Sequence, residues 1–222
     1  MISAQQATES STRKRVLVLF AVRDEAKYFQ TPGGSACVVA VSGIGKINAE
    51  RALTGALVHR PQLVITCGYC GGLNPNHKRG DVIFDADAES GIADALIKLG
   101  AKPGTFHCAD RIITTAEEKK ALRQLTGMDA VEMESGVIRA LCRERGIPSA
   151  TVRVISDDAT QDLPMDFNKL SGADGNISYL KLAIALAKSP GLVPKLMRFQ
   201  RELDACSRRL GGILHGLLAQ TR

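Results

Sequence analysis

Two acidic turns hold most of the chemistry that this sequence can offer. Ala130-Val131-Glu132-Met133-Glu134-Ser135 is followed about twenty residues later by Val152-Arg153-Val154-Ile155-Ser156-Asp157-Asp158. Each turn carries its carboxylates at the C-terminal end of an apolar run. In an open α/β sheet that edge is where ligands bind. One carboxylate there can grip a diol, and another with a raised pKa can protonate a leaving group. The pair suits an enzyme that handles a sugar and the group attached to it. A plainer reading stands beside it: Glu132, Glu134 and Asp157 as N-cap and first-turn acids of helices.

Those turns need a scaffold, and alternating strands and helices supply one. Arg15-Val16-Leu17-Val18-Leu19-Phe20 is a continuous apolar run, as expected of a strand buried on both faces. Cys37 to Val41, Leu63 to Cys67, Asp81 to Asp85 and Ala150 to Ile155 repeat the pattern. Lys46 to His59 reads as a helix closed by Pro61, and Glu134 to Arg145 as another stopped at Gly146-Ile147-Pro148. The alternation predicts a mostly parallel sheet covered on both sides, in one domain over 15–222. Residues 1–14 are polar, without the apolar segment of a secretory signal, and are expected to form a disordered leader.

Two glycine-rich turns follow strands, Ser42-Gly43-Ile44-Gly45-Lys46 and Gly68-Tyr69-Cys70-Gly71-Gly72-Leu73. They bring backbone close to a ligand, or they are simple tight turns. Neither a dinucleotide fingerprint nor a P-loop fits, because Asn48 stands where a third glycine belongs and Gly45-Lys46 lacks the required spacing. Cys67-x-x-Cys70 has no second pair to complete a metal site, so no metal is expected. Six scattered cysteines suit reduced core thiols in a cytoplasmic protein. With a net charge of +6 and only 4% aromatic residues, base-stacking platforms are scarce and nucleic acid is not an expected partner.

Four segments, in order, resemble the nucleoside phosphorylase and nucleosidase superfamily, which includes the methylthioadenosine/S-adenosylhomocysteine nucleosidases. They are Phe20 to Glu25, Ser42 to Lys46, Thr66 to Leu73 continuing to Gly80-Asp81-Val82, and Val131 to Glu134 with Ile155-Ser156-Asp157. The resemblance implies a three-layer αβα fold with a central mixed sheet, and cleavage of the ribosyl N-glycosidic bond of a purine nucleoside. It implies that Glu134 holds the ribose hydroxyls with Met133 against the sugar. Asp157, helped by Ser156, would protonate purine N7. Glu25 would activate water, with Ser42 and Gly45 near the nucleophile. Gly71, Gly72, Ile113 and Glu132 complete the expected binding set, and no cofactor is implied beyond phosphate as co-substrate if the enzyme is a phosphorylase. Related phosphorylases place an arginine where this chain has Glu25, which tilts the expectation to hydrolysis. Arg23, Lys46 and Arg153 leave a phosphate site open as the alternative. The 85–105 stretch is short, and Asp110-Arg111-Ile112-Ile113 carries isoleucine where the nucleosidases stack a phenylalanine on adenine. The 5′ side is therefore expected to be more open than methylthioadenosine requires.

The C-terminus carries an a/d seam: Leu192, Leu196, Phe199, Leu203, Cys206, Leu210, Ile213 and Leu217, with Lys195, Arg198, Arg201, Arg208 and Arg209 on the other faces. Such a helix, over about 192–217, can pack on the core, pair with its twin in a homodimer, or lie on an anionic membrane surface. Tail and open 5′ side together resemble the hopanoid-biosynthesis-associated phosphorylase-like proteins, which are held to remove adenine from adenosylhopane. A soluble methylthioadenosine-type nucleosidase, a purine nucleoside phosphorylase and a non-catalytic nucleoside-binding module remain as alternatives.

Overall fold

The computed structural model describes residues 14–170, 184, 186 and 189–220. The expected leader lies outside these residues except for Lys14, which donates to the Ser90 carbonyl. Strand β1 (Val16–Phe20) sits between β2 (Cys37–Val41) and β3 (Leu63–Gly72), parallel to both. Beyond β3 come β8 (Ser149–Asp157), β4 (Val82–Ala86) and the two-residue β5 (Lys102–Pro103), giving the order β2-β1-β3-β8-β4-β5. β4 runs antiparallel to β8, so the sheet is mixed rather than wholly parallel.

Side-chain alternation along β1 explains the layers. Val16, Val18 and Phe20 point into one core with Leu63, Ile65, Val152 and Val154, covered by α3 (Ala93–Lys98) and the long C-terminal helix α6 (Leu192–Gln220). Leu17 and Leu19 point to the opposite core, against Ala49 and Leu53 of α2 (Lys46–Ala56) and Ile138 and Cys142 of α5 (Ser135–Glu144). A strand buried on both faces must be apolar throughout, as β1 is. Each such aliphatic side chain contributes about 1.5–3 kcal/mol by leaving water.

The far end of β3 carries the functional edge. β3 follows β8 in parallel as far as Cys70, where a register shift sets Gly71 opposite Asp157. Gly71 and Gly72 then pair antiparallel with the short strand β7 (Ala130–Glu132), which in turn pairs with β6 (Phe106–Cys108). Gly71 thus stands between Val131 and Asp157, and the two acidic turns meet there. Helix α4 (Ala116–Thr126) packs behind this junction. Its start is fixed by a reciprocal cap in which Thr115 Oγ1 accepts from Glu118 N and Glu118 Oε2 accepts from Thr115 N. α3, α4 and the strands β5, β6 and β7 are not among the elements expected from the sequence.

The expected C-terminal helix is present and extends to Gln220. Of its three readings the structure takes core packing for the second half: Cys206, Leu210, Ile213, Leu214, Leu217 and Leu218 are buried in the core they share with β1 and β8. That half of the seam is therefore closed to a twin or a membrane. Gly211 permits the close approach, since a Cβ there would lie 2.6 Å from the Tyr28 carbonyl oxygen.

Candidate active site

Glu25 is held by α1 (Arg23–Ala26), directly after β1. Its carboxylate accepts from the backbone N–H of Ala21 at 2.8 Å, of Val22 at 3.0 Å and of Tyr69 at 2.8 Å. Gly68 makes this possible: its φ is +146°, and a Cβ there would stand 2.3 Å from Glu25 Oε1. The side chain is 4% exposed. Burial raises its pKa to about 7, against the lowering influence of Arg153 and the backbone donors. A carboxylate with a pKa near neutrality is suited to general-base work.

Arg153 organises the other acids. It lies inside the buried strand β8, 1% exposed, and its Nη2 reaches Glu132 Oε2 at 2.7 Å, Glu134 Oε2 at 3.1 Å and Thr66 Oγ1 at 3.1 Å. Burial opposes its charge, but Glu132, Glu134 and Glu25 outweigh that and raise its pKa. Glu134 also accepts from the Gly45 N–H at 2.8 Å, so the first glycine turn meets the acidic turn here. Its pKa is raised by burial, which together with the neighbouring Glu132 outweighs Arg153. Glu132 has a structural task as well. It accepts from the N–H groups of Glu134 and Ser135 and from the Ser135 hydroxyl and so holds the start of α5 from outside the helix; the N-cap position itself is Glu134, whose side chain makes no cap bond.

Asp157, 4% exposed, ends β8. Ser156 Oγ lies 2.5 Å from its Oδ1 and 3.1 Å from the Cys70 carbonyl oxygen, and its single proton goes to the nearer carboxylate oxygen. The ammonium of Lys119 lies 2.5 Å from Oδ2. Burial raises the pKa of Asp157, with Lys119 and Ser156 pulling the other way.

These groups surround one cavity of about 240 Å³. Of the residues singled out in the sequence, Glu25, Glu134, Asp157, Gly71, Ile113, Glu132, Met133 and Ser156 line it. Three do not. The Ser42 hydroxyl contacts the Phe20 and Gly43 carbonyls, Gly45 touches the site only through its N–H to Glu134, and Gly72 is packed against Asp158 and Ile155. Of the candidate phosphate cations only Arg153 is part of the lining. Arg23 is exposed and outside the lining, Lys46 is ion-paired with Asp110 at 2.6 Å, and Arg153 is enclosed by its glutamates.

Other residues at the site were not assigned to it from the sequence. Leu163, Phe167, Phe199 and Leu203 form an apolar wall, with the Phe167 and Phe199 rings 6.1 Å apart. Phe199 and Leu203 belong to the α6 seam, whose periodicity indicates burial but not against what. Lys119, 0% exposed, would be taken for a solvated helix residue. Among the described residues no group of His, Cys, Asp and Glu converges as a metal site, and the six cysteines are free thiols.

Comparison with known proteins agrees with this architecture. The chain is 27% identical over 190 residues to a 5′-methylthioadenosine/S-adenosylhomocysteine nucleosidase of Shewanella halifaxensis, a match spanning 70% of this chain and 82% of that protein. A Helicobacter pylori 5′-methylthioadenosine/S-adenosylhomocysteine nucleosidase, solved with butyl-thio-DADMe-Immucillin-A, superposes with a TM-score of 0.69 at 17% identity over 94% of this chain and 99% of the other. Futalosine hydrolase of Helicobacter pylori does so with a TM-score of 0.68 at 17% identity, over 95% and 100%. The Phosphorylase superfamily model matches residues 18–88 and 83–176, which takes in the end of β1, both glycine turns and both acidic turns. On that match, over most of its length, the chain belongs to the phosphorylase superfamily.

Proposed function

We propose that this chain is a nucleosidase that hydrolyses the N-ribosyl bond of an adenosine derivative and releases adenine. The carrying observation is the set of four buried carboxylates on one cavity, with Glu25 poised near neutrality. In this reading Glu134 grips the ribose hydroxyls, with Met133 against the sugar. Asp157 protonates the purine as the bond breaks, and Glu25 takes a proton from the attacking water. Buried acids flanking the ring favour an oxocarbenium-like transition state, and acid, base and water suffice without a cofactor.

Water is favoured over phosphate because the cationic side chains of the lining are already engaged, Arg153 with Glu132 and Glu134, and Arg111 with Glu118 at 2.7 Å. The apolar wall of Leu163, Phe167, Phe199 and Leu203 supports a bulky hydrophobic 5′ substituent. Adenosylhopane is the substrate of that kind which the family resemblance suggests. Peripheral contact with an anionic membrane falls to the first half of α6, where Val193 and Met197 are exposed beside Lys195, Arg198 and Arg201. A homodimer would cover the exposed Val39, Val41, Ile47 and Val58 of the β2 and α2 region.

The test is a screen of adenosine derivatives with 5′-methylthio, homocysteinyl and long apolar substituents, reading adenine release by absorbance with and without phosphate. Release that is phosphate-independent and fastest with apolar substituents is expected. Formation of a ribose 1-phosphate product would assign phosphorolysis instead, and no release from any nucleoside would remove the enzymatic reading. Co-sedimentation with anionic vesicles, lost on Lys195→Glu with Arg201→Glu, checks the membrane contact.

A further inference from the structure

Lys119 is a buried cation that bonds one loop and faces one acid. It sits in the first turns of α4 and is fully enclosed. Besides Asp157 Oδ2 at 2.5 Å, its Nζ donates to the carbonyl oxygens of Asp158 at 2.9 Å and Gln161 at 2.7 Å. Two of the ammonium's three N–H donors are taken by these carbonyls, and the Asp157 carboxylate stands in ion-pair contact with the charge. Both carbonyls belong to the loop that leaves β8, so the lysine ties that loop to α4 and leaves its remaining N–H for the acid. Strand β3 closes the other side, since a Cβ on Gly71 would lie 3.5 Å from Asp157 Oδ2 and 3.8 Å from Lys119 Cε. Lys119 does not line the cavity, and whatever it does to substrate it does through Asp157.

Resting on the nucleosidase reading, in which Asp157 is the acid, we infer that Lys119 is the positioning residue of that acid. It fixes the carboxyl group's orientation and sets how tightly the carboxyl holds its proton. The other groups facing the pair are weaker candidates for this task. Arg79 donates to the Ser156 carbonyl but is ion-paired with Glu202 at 2.5 Å and is partly exposed. The Asp158 carboxylate is turned to Thr160. Cys70 of β3 and Cys206 of α6 are thiols whose pKa values burial raises, so they stay neutral. Ser156 supplies a hydrogen bond without charge. Lys119 is thus the full positive charge in direct contact with Asp157, and it opposes the upward push of burial.

The experiment compares Lys119→Gln, which keeps an N–H donor for the carbonyls but loses the charge, with Lys119→Arg, which keeps the charge. The kcat/KM pH profile for adenine release is measured for each. Lys119→Gln is expected to move one limb upward by about 1–3 pH units, the effect of removing an adjacent opposite charge from a carboxyl group. Lys119→Arg is expected to leave both limbs in place. A Lys119→Gln enzyme that slows with both limbs unmoved overturns the inference, because a scaffold role alone would do that. Should Lys119→Gln not fold, the infrared carboxyl band of Asp157, isolated as wild type minus Asp157→Asn, decides. Its titration is compared with that in Lys119→Met, which also removes the charge: a titration displaced to higher pH without the ammonium is expected, and an unmoved titration overturns the inference. Failure of the nucleosidase reading is distinguishable, since the wild type would then release no adenine while the infrared titration still reports on the pair.

Discussion

Replacing Glu25 by glutamine separates the cost of this residue to the fold from its use in the reaction. Burial lifts its pKa from the ordinary 4.5 to about 7. Each unit corresponds to about 1.36 kcal/mol, so keeping the side chain ionised inside the fold costs about 3 kcal/mol. The sign follows from the raised folded-state value. The folded protein binds this proton more tightly than the unfolded chain does, so the stabilisation is complete below the unfolded value and is lost as pH rises through about 7. Glutamine does not titrate. The stability of Glu25→Gln relative to wild type should therefore improve by about 3 kcal/mol between roughly pH 4 and pH 8. A constant offset opposes this gain. The carboxylate accepts N–H groups from Ala21, Val22 and Tyr69, whereas an amide offers one oxygen and turns an NH₂ toward a donor. One buried N–H left unmet costs about 1–3 kcal/mol at every pH. The variant is thus less stable than wild type in acid and comes level with it, or passes it, in mild alkali. Urea unfolding across that pH range measures the difference. In a thermal scan the same change amounts to a relative shift of about 6–12 °C for a chain of this size. A difference that stays constant across the range would refute the argument that burial holds Glu25 near neutrality. Turnover should fall by ~10²-fold or more at every pH, the usual contribution of a general base.

Asp157→Asn should likewise lower turnover by ~10²-fold or more. It should also destabilise the fold by about 3–5 kcal/mol because Lys119 loses its counter-charge, and Lys119→Met in the same chain should recover part of that loss in urea unfolding. Gly68→Ala places a methyl group against Glu25 and Arg153 on backbone at positive φ, and should abolish adenine release and lower the melting temperature. Leu203→Asp, in the apolar wall, should raise KM for long apolar 5′ substituents more than for 5′-methylthioadenosine; equal effects on both would remove that wall from the 5′ side.

Strands β1, β3 and β8 are legible in the sequence because burial on both faces demands a mainly apolar run, which each of them carries. The three candidate catalytic acids are legible too, since each follows a strand end in a segment with family resemblance. Strands β5, β6 and β7 are not, because two or three residues carry no period. Arg153 is an instructive middle case. A charge inside Thr151-Val152-Arg153-Val154 announces a buried partner, but the sequence reading took Arg153 only as one of three cations that could hold phosphate. Only the convergence of β7 and α1 on β8 shows that the partners are the chain's own glutamates. Lys119 gives no such notice, because α4 is otherwise polar and its burial depends on a loop from a different part of the chain.

The charge balance of the site bears on which nucleophile it admits. Glu25, Glu132, Glu134 and Asp157 bring four negative charges, and Arg153 and Lys119 return two, both fully enclosed. Full ionisation would leave two uncompensated charges in a buried space. The raised pKa values of Glu25, Glu134 and Asp157 are the response to that arrangement. A surplus of negative charge suits a cationic transition state and opposes an incoming phosphate dianion. Water enters without that penalty and needs a base. Glu25, held by three backbone N–H groups and pushed to about 7, is the lining carboxylate best matched to that need.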